Sequence, residues 1–192
     1  MNIPKSYDQV DQWKSVMFLY KSALSAINTK IEILNNEFVH VYNNPIEHVK
    51  SRLKTPESIV KKLKSDGREV SIENMIEYLN DIAGIRIICS FTSDIYQIAD
   101  MIAKQSDVTV LNIKDYIKYP KPNGYKSYHL VAGVPIYRVD GMEYYPVEIQ
   151  FRTMAMDLWA SLEHRSCYKR REEDKQAWSA RFLQYSLMLE RM

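Results

Sequence analysis

Glycine is scarce in this chain, with five in 192 residues. No Gly-rich phosphate loop of the strand–GxxxxGK[ST]–helix type occurs, and no GxGxxG dinucleotide fingerprint. A nucleotide bound here has to be held by side chains. Cysteine is scarcer still: Cys89 and Cys167 are the only two, which excludes a disulfide framework. Cys89 sits in an apolar strand-like run and Cys167 on a helix. Neither has a second Cys or His at metal-ligand spacing, so a zinc site is not expected. Long apolar runs are also missing. Asp8, Asp11 and Lys14 interrupt the first twenty residues, no secretory leader is expected, and no stretch approaches membrane-span length. These absences predict a cytoplasmic protein without a membrane anchor. The net charge of +2 argues against a general nucleic-acid coat protein.

Hydrophobic residues make up 46% of the chain, enough for a real core. The length fits one domain, residues 1–192, with helical extensions at about 6–35 and 172–192. Val10, Trp13, Met17, Tyr20 and Leu24 recur at helical steps, predicting a helix from Ser6 to about Asn35. Asn43-Asn44-Pro45 breaks the chain. Thr55-Pro56-Glu57 reads as an N-cap followed by proline at the first helical position, with the helix ending at Ser65-Asp66-Gly67. Ser71 caps a further helix, Ile72 to about Leu79, with Asn74 where a capping box would carry Glu or Gln.

Strand signals follow. Ile85 to Phe91 is a β-branched run, read as half buried except for Arg86. Ser93 to Gln105 reads as a helix and Val108 to Ile113 as a strand. Lys114 to Tyr125 is a polar loop broken by proline. Lys126–Val139 and Met142–Arg152 form a hairpin closed by Asp140-Gly141, and Pro146 suggests an edge or a bulge. Thr153 or Arg152 opens a helix to about Lys169, and Glu172–Met192 forms the last. The pattern predicts one α/β (α+β) domain, a mixed and mainly antiparallel sheet flanked by helices.

The last strand is the most informative segment. Alternation sends Val147, Ile149 and Phe151 to one face and Glu148, Gln150 and Arg152 to the other. On the paired strand the same parity groups Ser127, His129 and Val131. A solvated sheet face also alternates, but a carboxylate beside His and Arg suits chemistry better. Asp81 lies between a helix end and a buried strand; two carboxylates from different elements are a usual way to hold Mg²⁺ against phosphate oxygens. Seven basic residues between His48 and Glu69 face three acids. Among them, Arg52, Lys54, Lys61 and Lys62 surround a helix start that also carries Ser58, an arrangement that attracts anions. A second group of lysines lies between Lys114 and Lys126. From charge alone both groups are equally well read as solvated faces. Tyr125 is either a base-stacking platform or a core aromatic, and His129 either a phosphate donor or a structural strand residue.

Together, Ser51-Arg52-Leu53-Lys54-Thr55-Pro56-Glu57-Ser58-Ile59, Asp81-Ile82-Ala83-Gly84-Ile85-Arg86, Asn123-Gly124-Tyr125-Lys126-Ser127-Tyr128-His129 and Val147-Glu148-Ile149-Gln150-Phe151-Arg152-Thr153 resemble the synthetase domain of RelA/SpoT homologues. The helix Ala155-Met156-Asp157-Leu158-Trp159-Ala160-Ser161-Leu162-Glu163-His164 extends the likeness to the small alarmone synthetases. The resemblance implies a polymerase-beta-like nucleotidyltransferase fold and transfer of the β,γ-pyrophosphate of ATP to the 3′-hydroxyl of GDP or GTP, giving (p)ppGpp and AMP. It implies that Arg52 and Arg86 sandwich adenine, that Lys54, Ser58 and Lys62 hold ATP phosphates, and that Asp81 and Glu148 bind Mg²⁺. By the same resemblance Glu148 also activates the hydroxyl, and Tyr125 stacks on guanine. Lys121 and His129 contact acceptor phosphates, and Gln150, Ala155 and Asp157 line the acceptor pocket, although relatives can carry Asn in place of Asp157. Longer relatives add a hydrolase domain with a His-Asp pair. None of the four histidines here precedes Asp, so synthesis without hydrolysis is expected. A homotetramer, and an alarmone or single-stranded RNA as regulator, are implied by kinship. Two other readings stay open at this point: a toxin of this fold that pyrophosphorylates the 3′-CCA end of tRNA, and a non-catalytic RNA- or alarmone-binding module.

Overall fold

A computed structural model describes residues 7–41, 44–167 and 172–189. Its elements are α1 (Tyr7–Val41), β1 (Ile46–Leu53), α2 (Pro56–Ser65), α3 (Ile72–Tyr78), β2 (Ala83–Cys89), α4 (Thr92–Ala103), β3 (Thr109–Asp115), β4 (Tyr128–Arg138), β5 (Gly141–Thr153), α5 (Met154–Cys167) and α6 (Glu172–Leu189). The five strands make one sheet in the order β1-β2-β5-β4-β3. Only the β2–β5 pairing is parallel, so the mixed, mainly antiparallel sheet expected from sequence is what forms.

Local chemistry sets most boundaries. The Thr55 side chain accepts from the Ser58 backbone N–H and Pro56 opens α2. Ser71 accepts from Asn74 N at 3.1 Å. The Asn74 amide turns to the Glu69 carbonyl at 2.9 Å instead of closing a capping box. Thr153 Oγ1 accepts from Met156 N at 3.3 Å and so starts α5. Asp94 receives the Phe91 N–H at 3.0 Å, so the chain turns into α4 there and β2 stops at Cys89, two residues short of the expected Phe91. The hairpin turn is Val139-Asp140, one residue earlier than expected. Arg138 pairs with Gly141, and Gly141 takes the positive φ of +133° that a side chain would resist.

Two further expectations change, and of the two readings of Pro146 the edge holds. α1 continues six residues beyond Asn35, to Val41. β1 was not foreseen as a strand at all. Its sequence IEHVKSRL exposes six successive residues, so no buried face marks it, and its ladder with β2 alone makes it a strand. Pro146 causes no bulge. It pairs in register with Gly133, and β2 joins β5 only from Val147 onward. The half of β5 that carries Pro146 is therefore an edge, where a missing N–H costs no ladder bond. Lys169, and Glu190 to Met192, proposed as helix ends, lie outside the described residues.

Strand parity separates the two sheet faces. Ala83, Ile85, Ile87 and Cys89 of β2, Leu130, Ala132 and Val134 of β4, and Val147, Ile149 and Phe151 of β5 are buried in one core cluster. Tyr20, Ala23, Ile27 and Ile31 of α1 and Ile95, Ile98 and Ile102 of α4 join that cluster. The other face carries Arg86, His129, Glu148, Gln150 and Arg152, with α5 running off its end. Among the described residues no helix is long and apolar enough to cross a membrane. Ile149 is fully buried on the central strand. Ile149→Ala should cost about 2–5 kcal/mol, read as a lower urea midpoint. Val139→Thr, on the fully exposed turn, should stay within about 0.5 kcal/mol of the parent.

Candidate active site

Register puts the polar residues in rows. Across the sheet, Arg52 stands beside Gly84 and Gly84 beside Glu148. In the next row Arg86 stands beside Gln150 and Gln150 beside His129. Gly84 puts no side chain between Arg52 and Glu148; a Cβ there would sit 3.9 Å from Arg52 Cγ and Nε, an ordinary van der Waals contact.

Glu148 is held at both oxygens. His129 Nδ1 lies 3.1 Å from Oε1, and Gln150 Nε2 donates to Oε2 at 2.8 Å. A carboxylate only accepts, so His129 Nδ1 carries a proton whatever the state of the ring. The Tyr125 hydroxyl is 2.9 Å from His129 Nε2. Arg152 donates to the Tyr125 oxygen at 2.9 Å and to Gln150 Oε1 at 3.3 Å. Arg152, Tyr125, His129, Glu148 and Gln150 thus close a ring of hydrogen bonds. In the neutral form of His129 every donor has one direction: Arg152 to Tyr125, Tyr125 to His129, His129 to Glu148. Burial pushes the Glu148 carboxyl up, but donation and charge from His129, then donation from Gln150, outweigh it and leave it below the usual carboxylate range. Its ionised form is the resting form at neutral pH.

Arg152 shares the parity of Glu148 in the sequence, but the sequence assigns it no role in the site. It is 5% exposed, and its Nη1 donates to Asp157 Oδ1 at 2.9 Å. Arg86 Nη1 reaches the same oxygen at 3.1 Å. Asp157, expected in the acceptor pocket, therefore bridges two guanidinium groups. Burial and the charge of Arg152 lower the Arg86 pKa, and Asp157 opposes this.

Asp81 lies in the turn before β2, ion-paired to Lys54 and to Lys62, the latter at 2.8 Å. Burial pushes its carboxyl up; hydrogen bonds and charge from the two lysines outweigh burial and hold it below the usual range. Lys54 is pulled down by burial, with Asp81 opposing. The Lys54 N–H also bonds the Ile82 carbonyl at 2.8 Å, which fixes the start of α2 to the Asp81 turn. Ser58 stands exposed in the first turn of α2, its Oγ 3.0 Å from Thr55 Oγ1. Lys121 is exposed, with Nζ 5.0 Å from the centre of the Tyr125 ring. Ala155 lines a cavity of about 470 Å³ together with Gly124, Lys126, Thr153 and Trp159; none of the five ring side chains lines it.

Among the described residues no group of three or more His, Cys, Asp or Glu side chains is arranged to hold a metal. Asp81 and Glu148 are two ionised carboxylates close enough for the charge of Asp81 to raise the pKa of Glu148. That donor set fits Mg²⁺, which is commonly held by one or two carboxylates with the rest supplied by water and substrate phosphates. It does not fit a metal that needs a protein-built cage.

The comparisons with known proteins agree with this layout. Residues 51–173 match the model of a region found in RelA / SpoT proteins. That span contains all thirteen residues named from the resemblance. The GTP pyrophosphokinase YwaC of Bacillus subtilis (strain 168) is 48% identical over 161 residues, 83% of this chain and 77% of that protein. The crystal structure of small alarmone synthetase 2 from Bacillus subtilis superposes with a TM-score of 0.79 at 41% identity, covering 93% of this chain and 92% of the other. Small alarmone synthetase 1 from the same organism, bound to its product pppGpp, gives a TM-score of 0.81 at 33% identity, covering 94% and 92%. With the sheet, the polar face and the matched span in agreement, this chain belongs to the RelA/SpoT family.

Proposed function

We propose that this chain transfers the β,γ-pyrophosphate of ATP to the 3′-hydroxyl of GDP or GTP. The hydroxyl oxygen attacks the β-phosphorus, the bond from that phosphorus to the oxygen bridging the α-phosphate breaks, and AMP leaves with the bonding pair. One observation carries the reading: an ionised, doubly held Glu148 stands at the centre of a sheet face whose flank carries Arg52, Arg86 and the Lys54–Asp81–Lys62 cluster. Family membership supplies the prior.

The residues divide by charge. Lys54, Lys62 and Ser58, at the start of α2, receive the ATP phosphates, which compete with Asp81 for the two lysines. Arg52 and Arg86 project from one sheet face on neighbouring strands and hold adenine between planar guanidinium groups. Asp157 orients Arg86 by bridging it to Arg152. Tyr125 and Lys121 receive the acceptor with His129 and Gln150, and Ala155 stands at the α5 end of that side. Asp81 and Glu148 would hold Mg²⁺, which when bound would neutralise phosphate charge. Glu148 takes the hydroxyl proton. Its low pKa makes it a weak base, which suits a loose phosphoryl-type transition state, where positioning and charge carry most of the catalysis. The carboxylate orients the hydroxyl and accepts the proton late, as the new P–O bond forms.

The same reading makes the chain a single synthetase domain extended by α1 and α6, working in the cytoplasm. It forms a homotetramer through those helices, whose outward Phe18, Ile33, Leu183 and Leu187 are exposed. An alarmone or single-stranded RNA is its regulator.

The deciding assay offers γ-labelled ATP and Mg²⁺ with GDP, GTP or deacylated tRNA. Label should move to the guanosine nucleotides with release of AMP; label on tRNA alone would overturn the acceptor assignment. Glu148→Gln should lower kcat by roughly 10²–10⁴-fold while ATP binding, measured by calorimetry, is kept. Unchanged turnover in that variant would remove Glu148 from the chemistry. Asp157→Ala should cost about 3–5 kcal/mol in urea unfolding, because the buried Arg152 loses its counter-charge. Asp157→Asn, still an acceptor, should cost less.

A further inference from the structure

The C-terminal helix α6 meets the acceptor side of the site through Ser186, a contact 62 residues long in sequence. Ser186 is 7% exposed, and its Oγ donates to the Gly124 carbonyl at 2.8 Å. Gly124 has a φ of +88°, and a Cβ built on it would lie 2.8 Å from Ser186 Cβ and 3.2 Å from the Leu183 Cα. The backbone of α6 therefore rests where any other residue at 124 would put its side chain. One turn earlier, the Trp159 indole donates to the Phe182 carbonyl at 2.7 Å, with the two rings 5.6 Å apart. These two bonds fix both the height and the rotation of α6 against α5 and the loop.

The loop is bonded within itself and to α5. Gly124 N bonds the Lys121 carbonyl at 2.8 Å, and Lys121 N bonds the Tyr125 carbonyl at 3.2 Å. Asn123 Oδ1 receives Tyr125 N at 3.1 Å, while Asn123 Nδ2 reaches Glu163 on α5 at 3.3 Å. Tyr125, the next residue along, carries the hydroxyl that joins the ring around Glu148. A chain of contacts thus runs from Ser186 to Gly124, to Tyr125, to His129 and to Glu148. Among the described residues no such chain leads from α6 to Lys54, Lys62 or Asp81, and Arg86 lies three contacts beyond Tyr125, through Arg152 and Asp157, against two for Glu148.

We infer that α6 positions the acceptor side of the site selectively, with Ser186 as a positioning residue that acts through Gly124 on Tyr125. The inference rests on the acceptor assignment proposed above. Seating of α6 then sets how well the guanosine nucleotide is received, and leaves the ATP side alone. A helix that only added general stability would weaken both substrates together, in proportion to the folded fraction lost.

Ser186→Ala removes the hydroxyl and leaves the Gly124 carbonyl without its partner. In the full-length protein, with ATP saturating and GDP varied, kcat/KM for GDP should fall roughly tenfold. With GDP saturating and ATP varied, KM for ATP should stay within about twofold of the parent, as should ATP affinity by calorimetry without acceptor. Hydrogen exchange is the second readout: amides of residues 121–126 should exchange faster in the variant, and those of β4 and β5 at the parent rate. Equal loss on both substrate axes would overturn the inference, as would unaltered exchange in 121–126. If the parent protein transfers nothing to guanosine nucleotides, the acceptor assignment falls, and the exchange experiment still decides whether α6 holds the loop.

Discussion

Everything at this site depends on keeping one carboxylate charged where burial opposes charge. Glu148 sits half-buried on the central strand, and desolvation favours its protonated form. Two donors reverse that balance, His129 on the neighbouring strand and Gln150 two residues along its own. Each donor is in turn held from behind, His129 by Tyr125 and Gln150 by Arg152. Because Arg152 touches both Tyr125 and Gln150, the network closes on itself. Closure removes freedom of direction: no member can rotate without breaking a bond to a neighbour. The buried, always charged guanidinium of Arg152 secures the far side through both Nη atoms, while its Nε has no hydrogen-bond partner among the described residues.

A second acid, Asp81, reaches the same ionised state by a different route. It has two lysines where Glu148 has an imidazole and an amide. The difference has a chemical consequence. Lysine charges bound to a carboxylate are available to a stronger anion, so in the proposed reaction the Asp81 cluster would exchange partners when a polyphosphate arrives. The Glu148 ring offers no such exchange, since its donors are hydrogen-bonded among themselves. One carboxylate stands in a labile ion cluster and the other in a fixed frame. That suits a site in which one substrate must be gripped by its charge and the other aimed by a single hydroxyl.

Alternation along 147–152 was enough to separate the core face from the polar face of the sheet, because β5 is interior over that stretch and a slip of one residue would bury Glu148 among Ile85 and Leu130. Caps at Thr55 and Ser71 were legible for the same local reason. β1 was not legible. An edge strand with six exposed residues has no buried period, and only its partner strand defines it. The site divides in the same way. Glu148, His129 and Gln150 share a parity that sequence displays. The bridging role of Asp157 depends on where the first turn of α5 lies against β2. Ser186 depends on how α6 folds back on Gly124. The two latter contacts join elements far apart in the chain, and neither residue type signals its partner. Gly124 did carry a signal, since Asn-Gly marks a turn with positive φ, but nothing in that dipeptide says which helix occupies the space its missing side chain leaves.

The geometry of the polar face also explains why so few glycines suffice. A Gly-rich loop wraps phosphate in backbone N–H groups and needs several residues without side chains. Here backbone carries the frame and side chains carry the charge. Gly84 leaves the strip between Arg52 and Glu148 without a side chain, although a Cβ there would meet Arg52 only at ordinary contact distance. Gly124 is needed to admit α6, since a Cβ on it would lie 2.8 Å from Ser186 Cβ and 3.2 Å from the Leu183 Cα. Of the two, Gly124 is the one that marks an approach closer than side chains allow, on the proposed acceptor side. Glu148 stands beside Gly84 on the central strand, where in the proposed reaction the two substrates are brought into line.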